Sequence, residues 1–341
     1  MSKTLIHANY PDFQPMLSGK FKYPDKEIVH LKNFPYITSP KVDGIRCIIG
    51  EDGIPYTRKL KPVPNKFIRE RIRYLTRFAP ILKNLDGELV LGGEAQLTEP
   101  NIFQATSSAV MSHEGEPSLT FWYFDYFASP NTPYSKRFLE FKPSIDEALE
   151  RLNESLSRTA DPHHKIFFRP LPFLKVNSLS ELEAAEESAV QQGFEGLMFR
   201  NPNKPYKFGR SATTKTQQHL IKLTRWETAE GIIRDTEELQ HNDNPLLEDN
   251  LGYAKRSSSQ EGKVGGNTLG KFIIEVLNGS FKGQLLAVGT GEGLTLSLRQ
   301  ELWNTRDQLP GKVITFKYRA YGSKDLPRFP IFKGFRSISD L

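Results

Sequence analysis

Apolar residues recur along this chain with two periods, every second residue and every three to four, and the switches between them mark its elements. The apolar approach Phe34, Pro35, Tyr36, Ile37 leads into residues 40–49, which read as strand, turn and strand. Lys41 stands two residues before the Asp43-Gly44 turn and Arg46 two residues beyond it. A turn at Glu51-Asp52-Gly53 then precedes Thr57-Arg58-Lys59. In residues 66–78 the apolar positions Phe67, Ile68, Ile72 and Leu75 predict a helix. Residues 81–91 predict a strand around Leu85-Asp86-Gly87-Glu88-Leu89-Val90, and the aromatic run 121–127 a central strand with Asp125 set into it. Residues 144–156 are amphipathic and helical. Residues 180–193 form a further helix, with Ser180 and Glu183 as a capping box and Gly193 as its stop, and lead into an apolar strand over 194–200.

The texture changes after Lys222. Residues 236–270 are polar, carry Ser257-Ser258-Ser259 and several glycines, and read as a long mobile loop. Strands follow over 272–276, 284–288 and 312–319, with a helix over 298–308 between the last two, a pattern that suits a small closed barrel such as an OB fold. A chain of 341 residues exceeds the size at which a single core keeps growing, so two domains are expected: 1–229, with a short N-terminal lead-in, and 230–341. The fold class is α+β.

Composition narrows the class. Hydrophobic residues at 38%, with 23 Phe and 12 Tyr, suffice for genuine cores. No run is long and apolar enough to span a bilayer, and the first ten residues lack the apolar segment of a signal peptide. A single cysteine, Cys47, excludes a disulfide framework or a cysteine-rich zinc site and suggests a reducing, intracellular setting. The net charge of +6 suits a polyanionic partner, nucleic acid first.

A lysine delivered by a strand to a turn can contact phosphate, form a Schiff base, or act as a nucleophile if its amine is neutral; it can also be a plain surface residue beside an Asp-Gly turn. The common nucleotide signatures do not decide among these. Gly265, Gly270 and Lys271 match phosphate-loop spacing, but Phe272 stands where Ser or Thr should hold magnesium. Gly289, Gly291 and Gly293 do not complete a dinucleotide fingerprint.

A different set occurs in order: Lys41-Val42-Asp43-Gly44-Ile45-Arg46, Thr57-Arg58, Asp86-Gly87-Glu88, the run from Phe121 to Asp125, Glu195-Gly196-Leu197-Met198-Phe199-Arg200, and Leu220-Ile221-Lys222-Leu223. This succession resembles the nucleotidyltransferase motifs of ATP-dependent DNA ligases, in the superfamily shared with RNA ligases and mRNA capping enzymes. The ending Pro327-Arg328-Phe329-Pro330, with Lys333 and Arg336, resembles the end of a DNA ligase OB domain. The resemblance implies an adenylation domain of antiparallel sheets with flanking helices, followed by an OB barrel. It implies a compact enzyme like those of viruses and phages, acting on nicked duplex DNA in replication, repair or recombination; a monomer is the simplest expectation. For a phage enzyme the setting is the cytoplasm of a bacterial host.

On this resemblance Lys41 takes AMP from ATP, with Mg2+ or Mn2+ required. Its amine, with an ordinary pKa near 10.4, must be made neutral by burial, a metal or the neighbouring cations Arg46 and Arg58. Ser39, Pro40, Arg46, Arg58, Glu88, Phe124, Arg210 and Lys222 are the implied nucleotide contacts, with Phe124 as the stacking aromatic. Strand alternation places Phe124 opposite Phe121 and Tyr123. Glu195 and Glu88 are the implied metal ligands. Arg328, Lys333 and Arg336 orient the pyrophosphate or contact DNA, and Lys255, Arg256 and Lys263 in the polar loop are candidate DNA contacts.

One position departs from the family. The usual Lys-x-Lys motif reads Lys222-Leu223-Thr224 here, leaving Arg225 or Arg210 as substitutes for the second lysine. Two rival readings stand beside a DNA ligase: an RNA ligase or capping-type enzyme with the same lysyl chemistry, and an OB-containing nucleic-acid-binding protein without activity.

Overall fold

The computed structural model of this protein describes residues 6–20, 31, 34–99, 102–158, 165–211, 218–224, 226–250, 252, 254–291, 294–319 and 326–336. The chain divides between residues 224 and 225 into two compact units, with 248–253 grouped with the first.

In the first unit, β1 (Met16–Leu17), β2 (Gly19–Lys20), β3 (Tyr36–Pro40), β4 (Ile45–Ile49) and β5 (Pro55–Thr57) precede helix α1 (Lys66–Phe78). Then come β6 (Leu85–Leu91), α2 (Ile102–Met111), β7 (Leu119–Tyr126), α3 (Lys142–Arg158), β8 (Ile166–Pro170) and β9 (Leu174–Val176). Helix α4 (Leu179–Gln191) and strands β10 (Leu197–Arg200), β11 (Gly209–Arg210) and β12 (Leu220–Leu223) complete it. Two five-stranded sheets result, in the orders β2-β12-β10-β3-β9 and β5-β4-β6-β7-β8, with β1 and β11 paired alongside. Most pairs are antiparallel; β2 with β12, β7 with β8 and β1 with β11 run parallel.

Helix α1 begins where Asn65 accepts from the Ile68 N–H, and buries Ile68, Ile72 and Leu75, so the expected spacing holds. With α3 it covers one face of the second sheet, where Phe121 and Tyr123 are wholly buried. Each such aromatic contributes about 1.5–3 kcal/mol on leaving water. The other face of that sheet sends Trp122 and Phe124 into a separate cluster with Tyr36, Phe199 and the apolar side of α4. The expected alternation of β7 is therefore observed. Helix α4 starts two residues early: the extended backbone is at Ser178, whose hydroxyl accepts from the Glu181 N–H, so Ser178 and not Ser180 is the cap.

The expectation of a strand, turn and strand over 40–49 needs correcting. Strands β3 and β4 belong to different sheets, so residues 41–44 form a crossover and not a hairpin turn. The reason lies in pairing: β3 bonds to β10, with Pro40 opposite Leu197, while β4 bonds to β6, with Arg46 opposite Glu88. Gly44 lies so close to β6 that a Cβ would meet the Leu89 carbonyl oxygen at 2.8 Å.

The second unit holds β13 (Glu227–Asn242), β14 (Leu246–Glu248, of which Glu248 is grouped with the first unit), β15 (Ala254–Arg256), β16 (Lys263–Val276), β17 (Leu285–Gly289), helix α5 (Leu296–Asn304), β18 (Val313–Arg319) and β19 (Arg328–Arg336). Five strands close a barrel in the order β13-β16-β17-β19-β18, filled by Ile233, Phe272, Ile274, Val288, Ile314 and Phe316. The α+β class and the small closed barrel match the sequence reading. The long loop over 236–270 does not. Its two ends, 236–242 and 263–270, are the paired outer halves of β13 and β16, with β14 and β15 as a hairpin between them. These outer halves bury few side chains on either face, so they lack the apolar period that announces a strand. Gly270 serves close approach, since a Cβ there would lie 2.7 Å from the Glu238 carbonyl oxygen. The phosphate-loop spacing around it therefore sits on a strand. No helix among the described residues is long and apolar enough to cross a membrane.

Candidate active site

The crossover between the two sheets sets Lys41 at the wall of a cavity of about 560 Å3. Ser39 and Pro40 at the end of β3, Arg46 on β4, Arg58 after β5, Glu88 on β6, Phe124 on β7, Arg210 on β11 and Lys222 on β12 line the same space. Nine positions spread from residue 39 to residue 222 thus converge in one unit.

Glu195 is bonded to the Lys41 ammonium, and both groups are largely enclosed. The Lys41 N–H also donates to the Gly196 carbonyl at 2.9 Å, tying the crossover to the turn before β10. Gly196 adopts φ +145°, and a Cβ on it would lie 2.3 Å from the Leu223 carbonyl oxygen, so only glycine lets β10 and β12 approach here. Burial alone would lower the Lys41 pKa, but the Glu195, Glu88 and Asp43 carboxylates outweigh it and hold the amine above the usual lysine range. This reverses the expectation that the surroundings favour the neutral amine. Burial pushes the Glu88 carboxyl up to about 7, against the opposing pull of Lys41, Arg46 and the Gly44 N–H, which donates to it at 3.3 Å.

Arg46 forms a two-pronged bond to Asp86, one arm Nε to Oδ1 at 2.6 Å, and its guanidinium carbon lies 4.8 Å from the centre of the Phe124 ring. Arg200, at the end of β10, lines the cavity, lies at the same 4.8 Å from the Phe124 ring and donates to Asp125 at 2.6 Å. The sequence reading assigned no role to Arg200. Two signals pointed to it: its place at the end of the Glu195-Gly196-Leu197-Met198-Phe199-Arg200 motif, and Asp125, a carboxylate inside an aromatic strand that burial obliges to find a cation. Ser18, Phe103 and Leu171 also line the cavity and carried no signal at all.

Thr224, where the family has its second lysine, is buried beside Gly196, whose added Cβ would reach the Thr224 Cα at 3.1 Å. Of its two expected substitutes, Arg225 lies outside the described residues, while Arg210 reaches the cavity and donates to the Ser18 carbonyl at 3.0 Å.

The second unit's candidates are arranged differently. Arg336 donates to the Thr315 hydroxyl at 3.1 Å and lies 3.3 Å from Glu230. Lys333 is exposed on β19, and the Arg328 side chain lies outside the described residues. Lys255 is exposed on β15, Arg256 donates to the Asn244 carbonyl, and Lys263 begins β16. All three expected loop contacts are thus strand residues.

No group of three or more His, Cys, Asp or Glu side chains able to hold a metal occurs among the described residues. Magnesium is commonly bound by one or two carboxylates together with substrate phosphates, and Glu88 and Glu195 beside Lys41 fit that donor set.

Residues 15–223, more than half of the chain, match the family described as ATP dependent DNA ligase domain. The chain belongs to this family. Residues 261–336 match the DNA ligase OB-like domain. Among solved structures, a Lig E DNA ligase is 20% identical, with 95% of this chain and 99% of that one covered at a TM-score of 0.59. A protein designated Pmar-Lig_Pre is 19% identical, covering 95% and 68%, at 0.61. The Chlorella virus DNA ligase-adenylate is 24% identical, covering 95% and 99%, at 0.46. A search of curated proteins finds no match. The motif resemblance is thereby borne out, and this protein is an ATP-dependent DNA ligase with an adenylation domain and an OB domain.

Proposed function

We propose that this ligase seals nicks between a 5′-phosphate and a 3′-hydroxyl in duplex DNA, acting as a DNA ligase (ATP) through an adenylate on Lys41. The observation that carries the proposal is the single cavity that gathers Lys41 with Arg46, Arg58, Glu88, Phe124, Arg210 and Lys222. The Lys41 Nζ attacks the α-phosphorus of ATP, a P–N bond forms and the bond to pyrophosphate breaks. AMP then passes to the 5′-phosphate of the nick, restoring the amine. The 3′-hydroxyl displaces AMP in the last step and closes the strand.

Arg46, Arg58, Arg210 and Lys222 supply cations where phosphate charge must be balanced. Phe124 offers an aromatic wall to the base, and Glu88 an acceptor to the ribose. The Lys41–Glu195 pair keeps the resting amine protonated, so attack requires Glu195 to be drawn away or to accept the proton. A magnesium ion on Glu195 and Glu88 would neutralise charge at phosphorus when bound. Duplex DNA would be held through its backbone by cations such as the exposed Lys255 and Lys333 and the half-buried Lys263, without regard to sequence.

Incubation with α-labelled ATP and magnesium tests the reading. The wild type should yield an acid-labile, alkali-stable adenylate, and Lys41→Ala none, with nicked DNA left open. An undiminished adenylate on Lys41→Ala would refute it. Nicked RNA assayed beside nicked DNA separates RNA ligation.

A further inference from the structure

Seven side chains behind the cavity close on one another. Arg46 bonds Asp86, which accepts from the Tyr206 hydroxyl at 2.6 Å. The Arg137 guanidinium carbon lies 5.5 Å from the Tyr206 ring centre, and Arg137 grips both Asp125 oxygens at 2.9 Å. Arg200 bonds the same Asp125 at 2.6 Å, and Arg200 and Arg46 both approach the Phe124 ring, which completes the circuit. Arg137, Asp125, Asp86 and Arg200 are all buried.

The sheet contains a feature that makes this possible. Neighbours on a strand normally face opposite sides, yet Phe124 and Asp125 both reach Arg200. The β6–β7 register slips at this point: Asp86 pairs with Asp125 and Gly87 with Tyr123, leaving Phe124 as the extra residue. A bulge of this kind re-aims side chains beside functional sites. Only Arg200 and Arg46 in the circuit touch the ring and also line the cavity.

We propose that Arg200 is a positioning residue for the nucleotide: bonded to Asp125 and laid against Phe124, it holds the aromatic wall in the orientation on which the base stacks. The inference rests on the reading of this cavity as the ATP site. A fixed wall lowers the ordering cost of binding, so loss of Arg200 weakens capture of ATP more than it slows transfer to Lys41.

Single-turnover adenylation measured across ATP concentrations tests this, with melting temperature recorded for each variant. Arg200→Met should raise the half-saturating ATP concentration by roughly tenfold, with a smaller fall in the limiting rate. Arg200→Lys, which keeps a cation for Asp125, should recover the melting temperature and part of the ATP affinity. Phe124→Leu alone should also weaken ATP capture, and adding Arg200→Met to it should cost little more, since both act on one surface. Should Arg200→Met fail to fold, Arg200→Gln, which keeps a donor for Asp125 and leaves the Arg137–Asp125 pair intact, carries the same comparison. A half-saturating concentration within about twofold of wild type, or an Arg200→Met effect as large in the Phe124→Leu background as in wild type, would overturn the role of Arg200. If Phe124→Leu itself leaves ATP capture unchanged, the stacking site is misassigned and the proposal falls with it.

Discussion

The wall behind the cavity and the barrel use charge in opposite ways. Behind the cavity, cations are enclosed and matched to particular carboxylates: the Arg137 and Asp125 side chains are both 0% exposed, and that of Arg200 is 5% exposed. In the barrel, pairs such as Arg234–Glu275 and Lys271–Glu237 lie on the outside with about half of each cationic side chain in water. Enclosed pairs fix geometry because an unpaired partner cannot turn to solvent. Exposed ones are screened and add little to stability, but they remain free to meet a polyanion. The first arrangement suits a site that must hold one nucleotide in one pose, the second a surface that holds a duplex without reading it.

The sharpest way to break this contrast is Asp125→Ala, which leaves Arg137 and Arg200 buried without their shared carboxylate. Stability should fall by about 3–5 kcal/mol, read from denaturant unfolding of the first transition. A loss below about 1 kcal/mol would place Asp125 with the surface pairs.

Glu195→Gln should have the next largest effect. Glu195 raises the Lys41 pKa against the opposing effect of burial, so its removal leaves only Glu88 and Asp43 to oppose burial and the pKa falls. Labelling of Lys41 by an amine-reactive acylating reagent, followed against pH by mass spectrometry without ATP or metal, should therefore show its midpoint moved to lower pH. A midpoint unmoved or moved up would show that Glu195 does not govern the amine.

The smallest effect is expected on the barrel. Removing Lys255 and Lys263 together should lower the slope of log affinity for nicked duplex against log salt by about 1 for each phosphate that is no longer neutralised. No change in slope would take both residues off the DNA surface.

These contrasts also explain which parts of the molecule could be anticipated. Helix α1 and strands β6, β7 and β18 fall close to their predicted places because one face of each is buried and the apolar period records it. The cavity residues could be named because motif order survives in the chain regardless of where the strands lie. Residues 236–242 and 263–270 look like loop in the sequence because their pairing is with each other and buries few side chains. The cap at Ser178 was missed because Ser180 and Glu183 offered the same spacing, and only backbone conformation separates them.

By itself, the sequence determined the periodic elements and the family, and it singled out Lys41 as the candidate for the lysyl chemistry, because each is written in residue type and spacing along the chain. Tertiary structure alone decided that residues 41–44 cross between two sheets, that Glu195 pairs with Lys41, and that Arg200 shares Asp125 with Arg137 while lying against Phe124. Those facts depend on which strands become neighbours and on a one-residue slip in register. Hydrogen-bond pairing between distant segments sets both, and no local pattern encodes it.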